Sequence, residues 1–171
     1  MLRKTLFISL TALFSLACSS TQSVDLMPLI ESDHCPIAQS GLTVYPDNHA
    51  LQRAFSQAQA GLKQTLDLSG AKPQKKITLG PQHWAFSVHL GQRPSSGYGI
   101  SLEKPAAKLK AGILSIELKQ QKPTQGSMQA AVITSPCIII EVDGDLQEME
   151  VREVVVKSNV ERWHSLLQPL Q

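Results

Sequence analysis

The sequence has few aromatic residues and no apolar run long enough to cross a bilayer. Aromatic side chains make up 5% of the 171 residues, so a folded core must be built mainly from Leu, Ile, Val and Ala. The longest apolar stretch, from Leu6 to Leu16, is interrupted by Ser9, Thr11 and Ser15. A spanning helix needs about 20 apolar residues, so this stretch is typical of a secretory signal instead.

Acidic residues are absent before Asp25, and Arg3 and Lys4 precede the apolar stretch, as in a signal peptide. The stretch ends in Ser15-Leu16-Ala17-Cys18, which resembles the lipobox of bacterial lipoproteins, with Ser15 where Leu is usual. This resemblance implies that residues 1–17 are removed and that Cys18 carries a lipid. Ser19, not Asp, follows the cysteine, which implies an outer-membrane lipoprotein facing the periplasm. The alternative is a soluble periplasmic protein.

Excess charge of either sign is also lacking. The whole chain has 16 Lys and Arg against 14 Asp and Glu, and removal of Arg3 and Lys4 with the signal leaves 14 of each. A formally neutral chain has no basic field for nucleic acid and no polybasic run for a membrane surface. Membrane attachment would therefore rest on the lipid alone.

The predicted organisation is a signal peptide (1–17), a lipidated tether (18–26) and a single domain (27–171). Residues 27–171 are enough for one hydrophobic core. No internal repeat or second domain boundary is visible. The small polar run from Ser19 to Ser23 is typical of a flexible tether.

Hydrophobic periodicity predicts one helix followed by a β-dominated region. Asn48 can cap a helix with apolar positions at Leu51, Phe55, Ala58 and Leu62. Apolar residues at every second position then predict a series of strands. In the first of these strands, one face is apolar and the other is polar. These strands cover Trp84 to Leu90, Tyr98 to Leu102, Leu114 to Leu118, Ala130 to Thr134, Cys137 to Val142 and Val151 to Val156.

Asn159 could cap a short C-terminal helix with Val160, Trp163, Leu166 and Leu167 on one side. Period-two alternation favours antiparallel pairing. The predicted class is therefore α+β and β-dominated, with a mainly antiparallel sheet, one helix on the N-terminal side and a short C-terminal helix.

A second feature of the sequence is the run Gly91-Gln92-Arg93-Pro94-Ser95-Ser96-Gly97-Tyr98 between two predicted strands. It resembles the G-x-[KR]-P-[TS]-x-G-Y turn of the PrcB family, which is named for an accessory subunit of a surface protease complex. A later segment, from Pro123-Thr124-Gln125-Gly126 through Ser135-Pro136 to the apolar strand after Cys137, follows in the family's order. The resemblance extends from about residue 35 to residue 157.

This resemblance implies a non-catalytic accessory subunit that binds another envelope protein. That partner could be a protease, whose complex the subunit would stabilise. The candidate contact residues are Arg93, Pro94, Ser95, Ser96, Gly97 and Tyr98. Pro94 presets φ, Gly97 permits a tight reversal, and Tyr98 offers a large amphipathic surface. We expect an exposed Arg93 guanidinium whose removal leaves stability unchanged. The alternative is that the loop is only a hairpin turn with Tyr98 in the core.

Two other functions are weighed against the accessory role. The loop from Arg93 to Tyr98 is similar to an N-P-[ST]-T-G-Y loop of chagasin-type inhibitors of cysteine proteases, with Arg93 in place of Asn. An enzyme is the second alternative, but no catalytic residues, metal site, cofactor or small-molecule ligand are predicted. The histidines lack metal-ligand spacing, and the simple interpretation of His89 is a place on the polar face of its strand.

The chain has three cysteines, and one disulfide in an oxidising compartment would use two of them and leave one unpaired. With Cys18 assigned to lipid, Cys35 and Cys137 are predicted to form a disulfide. The alternative is two buried thiols that never meet.

Overall fold

Nine β-strands and one short helix form the part of the chain that the structure describes. It is a computed structural model, and it describes residues 20–35, 39–53, 79 and 83–167. Helix α1 begins at residue 48 and is described to residue 53. The strands are β1 (Gln22–Ser32), β2 (Ser40–Tyr45), β3 (Trp84–Leu90), β4 (Gly99–Leu102), β5 (Ala106–Lys110), β6 (Ile113–Gln121), β7 (Cys137–Val142), β8 (Glu153–Ser158) and β9 (Arg162–Leu166).

The strands form one mixed sheet that curls almost into a barrel. Their order is β2-β3-β7-β1-β5-β6-β8-β9, and β4 pairs with β6 beside β5. Strands β6 and β8 run parallel, because the chain crosses over through residues 122–152 before it returns beside β6. The prediction of a β-dominated fold is confirmed, and the expected mainly antiparallel sheet is corrected to a mixed one.

Strand β1 joins the two halves of the sheet. Residues 22–25 pair with β5, and residues 26–32 pair with β7, with an irregularity between Pro28 and Ile30. Burial of Val24 and Leu26 holds this strand in the core from its beginning. The predicted tether over 18–26 is therefore too long, since the sheet begins at Gln22.

The two ends of the sheet, β2 and β9, meet through side chains. Trp163 Nε1 donates a hydrogen bond to Ser40 Oγ at 3.1 Å. Ser40 Oγ in turn donates to Glu161 Oε2 at 3.4 Å. We call this contact between β2 and β9 the seam.

The predicted C-terminal helix from Asn159 is wrong, because these residues form a turn and β9. Strand β9 pairs antiparallel with β8 over Arg162 to Leu166. Trp163 is buried, whereas Leu166 is 74% exposed, so the apolar residues do not share one buried helical face. The Asn159 side chain instead pairs with the backbone of Gln120 at 2.9 and 3.2 Å.

Helix α1 begins where the sequence predicts, but its cap differs. Asp47 Oδ1 accepts a hydrogen bond from the Ala50 amide at 2.7 Å, so Asp47 caps the helix instead of Asn48. Asn48 bonds the backbone of Leu79 instead. Leu51 is buried as expected, and the other predicted helix positions, Phe55, Ala58 and Leu62, lie outside the described residues.

Strand β3, which lies between β2 and β7, is buried on both faces. Trp84, Phe86, Val88 and Leu90 pack into the main core. The opposite face, with Ser87 and His89, is also buried, so the expected polar face does not meet solvent. Among the described helices, none is long and apolar enough to cross a membrane.

Candidate functional site

The two sequence motifs lie side by side on one surface. The Arg93 amide donates to the Thr134 carbonyl at 2.7 Å, and the Thr134 amide donates back at 3.0 Å. Three residues further on, the Ser96 amide donates to the Ala130 carbonyl at 3.0 Å. We call residues 93–98 and 127–134 together the motif surface. The predicted strand at 130–134 is corrected to an irregular segment, which forms a bridge only at Thr134.

Ser95 and Ser96 hold the motif surface together. Ser96 Oγ accepts from the Ala130 amide at 3.1 Å and lies 3.3 Å from Gln129 Oε1. The Ser95 carbonyl accepts from Thr134 Oγ1 at 3.1 Å. Because these bonds join the loop to residues 129, 130 and 134, both serines position the surface.

Gly97 has the backbone conformation that the motif requires. Its φ of +90° lies in a region that side chains disfavour. A Cβ atom there would lie 2.5 Å from Gln129 Oε1. The expected tight reversal at Gly97 is confirmed, while the neighbouring Pro94 is exposed.

Arg93 is engaged within the protein, contrary to the expected free guanidinium. Its Nη2 donates to Glu161 Oε1 at 3.2 Å, and its guanidinium carbon lies 5.8 Å from the centre of the Tyr98 ring. The side chain is 27% exposed. Since Glu161 also accepts from Ser40, Arg93 connects the motif surface to the seam. Sequence reasoning missed this contact because 68 residues separate Arg93 from Glu161.

Tyr98, the first residue of the strand predicted over Tyr98 to Leu102, is half-buried beneath Arg93. It directly precedes β4, whose Ile100 is buried in the main core. The ring therefore both supports the loop and presents part of its surface to solvent.

The most exposed part of the motif surface is apolar. Met128 is 100% exposed, Val132 51% and Ile133 65%. Ala130 and Ala131 between them are also exposed. We call residues 128–133 the apolar strip. Sequence analysis predicted a strand over Ala130 to Thr134, so it did not indicate the strip.

The predicted disulfide between Cys35 and Cys137 is confirmed. Their Cα atoms are 6.0 Å apart. The Cys35 amide donates to the Ser135 carbonyl at 2.8 Å, which fixes the end of β1 against the turn before β7. The other predicted cysteine site, Cys18, lies outside the described residues.

His89 lies beside this disulfide, on the buried second face of β3. Its Nε2 is 2.9 Å from Ser87 Oγ, which is itself 2.9 Å from the Tyr45 hydroxyl. Burial lowers the pKa of His89 to about 4, because desolvation penalises the imidazolium. The ring is therefore neutral at physiological pH.

His83 makes a separate set of contacts at the other end of β3. Its Nδ1 lies 2.8 Å from Glu141 Oε1, and its Nε2 lies 3.0 Å from Asp143 Oδ1. Six residues of extended chain separate His83 from His89, or about 20 Å. The two histidines thus belong to different sites.

A small polar cleft opens where β1 diverges from β4. Glu31, Ser32 and Asp33 face Gly99 to Ser101 across a volume of about 210 Å³. Typical small-molecule sites are larger, about 300–1,000 Å³. The cleft therefore supports no ligand assignment.

Comparison with known proteins agrees with this geometry. The family described as PrcB C-terminal matches residues 86–143, about a third of the chain. No curated protein and no solved structure matches the chain. The matched segment runs from β3 to the end of β7 and contains both halves of the motif surface. Residues 86–143 are thus a PrcB C-terminal-like region, as the two motifs predicted.

Proposed function

We propose that this protein is a non-catalytic accessory subunit of the cell envelope that docks onto another envelope protein through the motif surface. The observation that carries the proposal is the apolar strip. Three large apolar side chains, Met128, Val132 and Ile133, are at least half exposed beside the Arg93–Tyr98 loop. Contiguous exposed apolar surface with a polar rim is typical of protein interaction sites.

The strip is held in place before a partner arrives. Bonds from Ser96, Arg93 and Thr134 fix the irregular segment against the loop. A segment that is already ordered loses less conformational entropy on binding, which strengthens association. Methionine and aromatic side chains are also enriched at interface centres, and Met128 and Tyr98 supply both.

A protease is the partner class that we favour. The support is the PrcB C-terminal match over residues 86–143, because the family's namesake is an accessory subunit of a protease complex. The inhibitor alternative gains no support from the described contacts, since the serines of the loop bond to residues 130 and 134.

The position of the motif surface suits a partner held away from the membrane. Strand β1 begins at Gln22, only four residues after Cys18. The motif surface lies at the opposite end of this strand, where the Asp33 carbonyl accepts from the Ser135 amide at 2.8 Å. Eleven strand residues span up to about 35 Å. A lipid at Cys18 would therefore place the strip on the membrane-distal end.

The anchor is tested by the mass of protein extracted from envelopes. We expect cleavage before Cys18, a diacyl or triacyl group on that residue, and fractionation with the outer membrane. Ser19 is the reason for the outer-membrane assignment. Soluble protein with an unmodified N-terminal cysteine would contradict the anchor while leaving the docking surface untouched.

The docking surface is tested by a photo-reactive amino acid at Ile133, with Leu166 as the matched position. Both side chains are apolar and well exposed, at 65% and 74%, but Leu166 lies on β9 outside the strip. We expect a crosslink from position 133 to a protease subunit, identified by mass spectrometry, and none from position 166. Equal crosslinking from both positions would refute the surface, and an unrelated partner would refute the protease assignment.

A further inference from the structure

Three potential metal ligands converge around the disulfide. One nitrogen of His89 and the sulfur atoms of Cys35 and Cys137 all lie within 4.8 Å of one another. Two of these residues are almost completely buried, with His89 4% and Cys137 0% exposed. A disulfide sulfur is a poor ligand, whereas a thiolate is a strong one for soft metal ions.

The sheet itself sets this arrangement. His89 on β3 is directly opposite Cys137 on β7 in the antiparallel register. Cys35 is held by its amide bond to Ser135, two residues before Cys137. These backbone contacts do not depend on the sulfur–sulfur bond, so they can keep the three side chains together after reduction.

The imidazole of His89 leaves one ring nitrogen available as a ligand. Its Nδ1 is buried and has no hydrogen-bond partner among the residues that the structure describes. Its other nitrogen lies 2.9 Å from Ser87 Oγ, and Tyr45 extends this contact. Metal-binding histidines usually carry such a hydrogen bond on the nitrogen that faces away from the metal. Buried polar atoms without partners are rare in folded proteins, and a bound ion is one way in which such an atom is satisfied.

We propose that Cys35, Cys137 and His89 form a redox-gated site for one Cu(I) ion, which opens when the disulfide is reduced. A dithiol donor supplies two electrons and two protons, so that the sulfur–sulfur bond breaks, two thiols form and the donor becomes a disulfide. Cu(I) then displaces both thiol protons and binds two thiolates and His89 Nδ1. A disulfide donor then accepts two electrons from the thiolates and takes up two protons to become a dithiol, so that the bond between Cys35 and Cys137 re-forms and the ion is released.

The ligand set favours Cu(I) over other ions. Thiolates select soft ions and reject Mg²⁺ and Ca²⁺, which prefer oxygen. Structural Zn²⁺ sites almost always have four protein ligands, whereas three are assembled among the residues that the structure describes. In a three-ligand site with bonds of about 2.3 Å, the sulfur atoms lie about 4 Å apart. Cα atoms 6.0 Å apart can accommodate that separation.

The test is Cu(I) transfer from a coloured bicinchoninate complex to the full chain in detergent under nitrogen. Cys18→Ser is present in every sample, so that this thiol is not counted. The disulfide is reduced with a phosphine, which is then removed. We expect the reduced chain to take up one equivalent of Cu(I) and the oxidised chain to take up none at the same concentration.

His89→Gln should weaken Cu(I) binding by at least about tenfold, since even an outer-shell partner is typically worth about 10–100-fold. His49→Gln is the matched control, because His49 is an exposed histidine on α1. Bound Cu(I) should also protect Cys35 and Cys137 from alkylation in the unmutated pair. X-ray absorption should show one nitrogen and two sulfur neighbours, a result that does not require the variant to fold.

Four results would each overturn the proposal. They are no uptake by the reduced chain, equal uptake by the oxidised chain, uptake unchanged by His89→Gln, and loss of near-ultraviolet circular dichroism on reduction. The last result would show that the ligands separate when the disulfide opens. None of these results bears on the motif surface, so the proposed function is tested independently.

Discussion

Arg93 contributes to the folded state through two side-chain contacts that an exposed arginine would lack. One is the ion pair with Glu161 at 3.2 Å, and the other is the stacking on Tyr98 at 5.8 Å. Partly exposed ion pairs contribute about 0–1 kcal/mol, and cation–π contacts contribute about 0.5–1 kcal/mol. The sequence-based expectation of unchanged stability is therefore replaced by a measurable loss.

We predict that Arg93→Ala lowers the free energy of unfolding by about 1 kcal/mol in urea denaturation. Arg162→Ala, at an exposed arginine of β9, is the matched control and should be neutral. The double variant with Glu161→Gln should lose less than the sum of the single losses, because the two residues share one ion pair. Additive losses would show that the pair contributes nothing.

His89 makes stability depend on pH in a defined direction. Its pKa is about 4 in the folded protein, against 6.5 for the free side chain. Between these values the unfolded chain binds more protons, so stability rises with pH in this window and falls as pH drops towards 4. Below pH 4 both states are protonated, and this contribution no longer changes.

We expect the free energy of unfolding to fall by about 3 kcal/mol more in the wild type than in His89→Gln between pH 7 and pH 4. The comparison cancels the carboxylates that titrate in the same range, because they are common to both proteins. Urea denaturation at several pH values provides the measurement. Parallel pH profiles would show that His89 is not desolvated in the folded state.

At the scale of elements, the apolar pattern was a reliable guide only for strands whose own sequence carries it strongly, whatever their place in the sheet. Strands β3, β6 and β7 have strong apolar periodicity and were predicted within a residue or a few residues of their bounds. Strands β1, β2 and β5 were missed, since polar and small residues interrupt their apolar patterns. Strand β9 was mistaken for a helix because Val160 and Trp163 fit both periods. Pairing with β8 decided the outcome.

The residues of the candidate site likewise divide into those that the sequence predicts and those that it does not. Gly97, the half-buried Tyr98 and the disulfide were predictable, because backbone conformation, strand phase and cysteine count carry local information. The apolar strip, the Arg93–Glu161 pair and the buried place of His89 beside Cys35 were not predictable. Each depends on which distant segments meet, and the sequence does not encode that in a local pattern.

The disulfide links two elements that are far apart in sequence. It closes a loop over a separation of 102 residues, between the end of β1 and the start of β7. We expect the Cys35→Ala/Cys137→Ala variant to lose about 2–4 kcal/mol of unfolding free energy, chiefly because its unfolded chain is less restricted. Urea denaturation of oxidised protein gives this value, with Cys18→Ser as the control. A loss no larger than that of the control would contradict the prediction.

At the scale of the whole molecule, β1 connects the two functional ends that we propose. Its first residues enter the sheet directly after the lipidation candidate Cys18, and its last residues support the disulfide and the motif surface. The seam between β2 and β9 joins the same end through Glu161, which both Ser40 and Arg93 contact. Through Glu161, the motif surface therefore contacts both edges of the curled sheet.

Because the side chains of the apolar strip are exposed, one variant can weaken partner binding without weakening the fold. Met128, Val132 and Ile133 are 100%, 51% and 65% exposed, so replacing all three by Ser should change the free energy of unfolding by less than about 0.5 kcal/mol for each. The affinity for the partner that crosslinking identifies, measured by pull-down, should fall at least about tenfold, the equivalent of 1.4 kcal/mol. The reason is that the binding energy of an interface concentrates in a few apolar anchors. Leu166→Ser removes an equally exposed apolar side chain elsewhere and should leave capture intact. Undiminished capture by the triple variant, with an unchanged denaturation curve, would show that the partner binds another face of the protein.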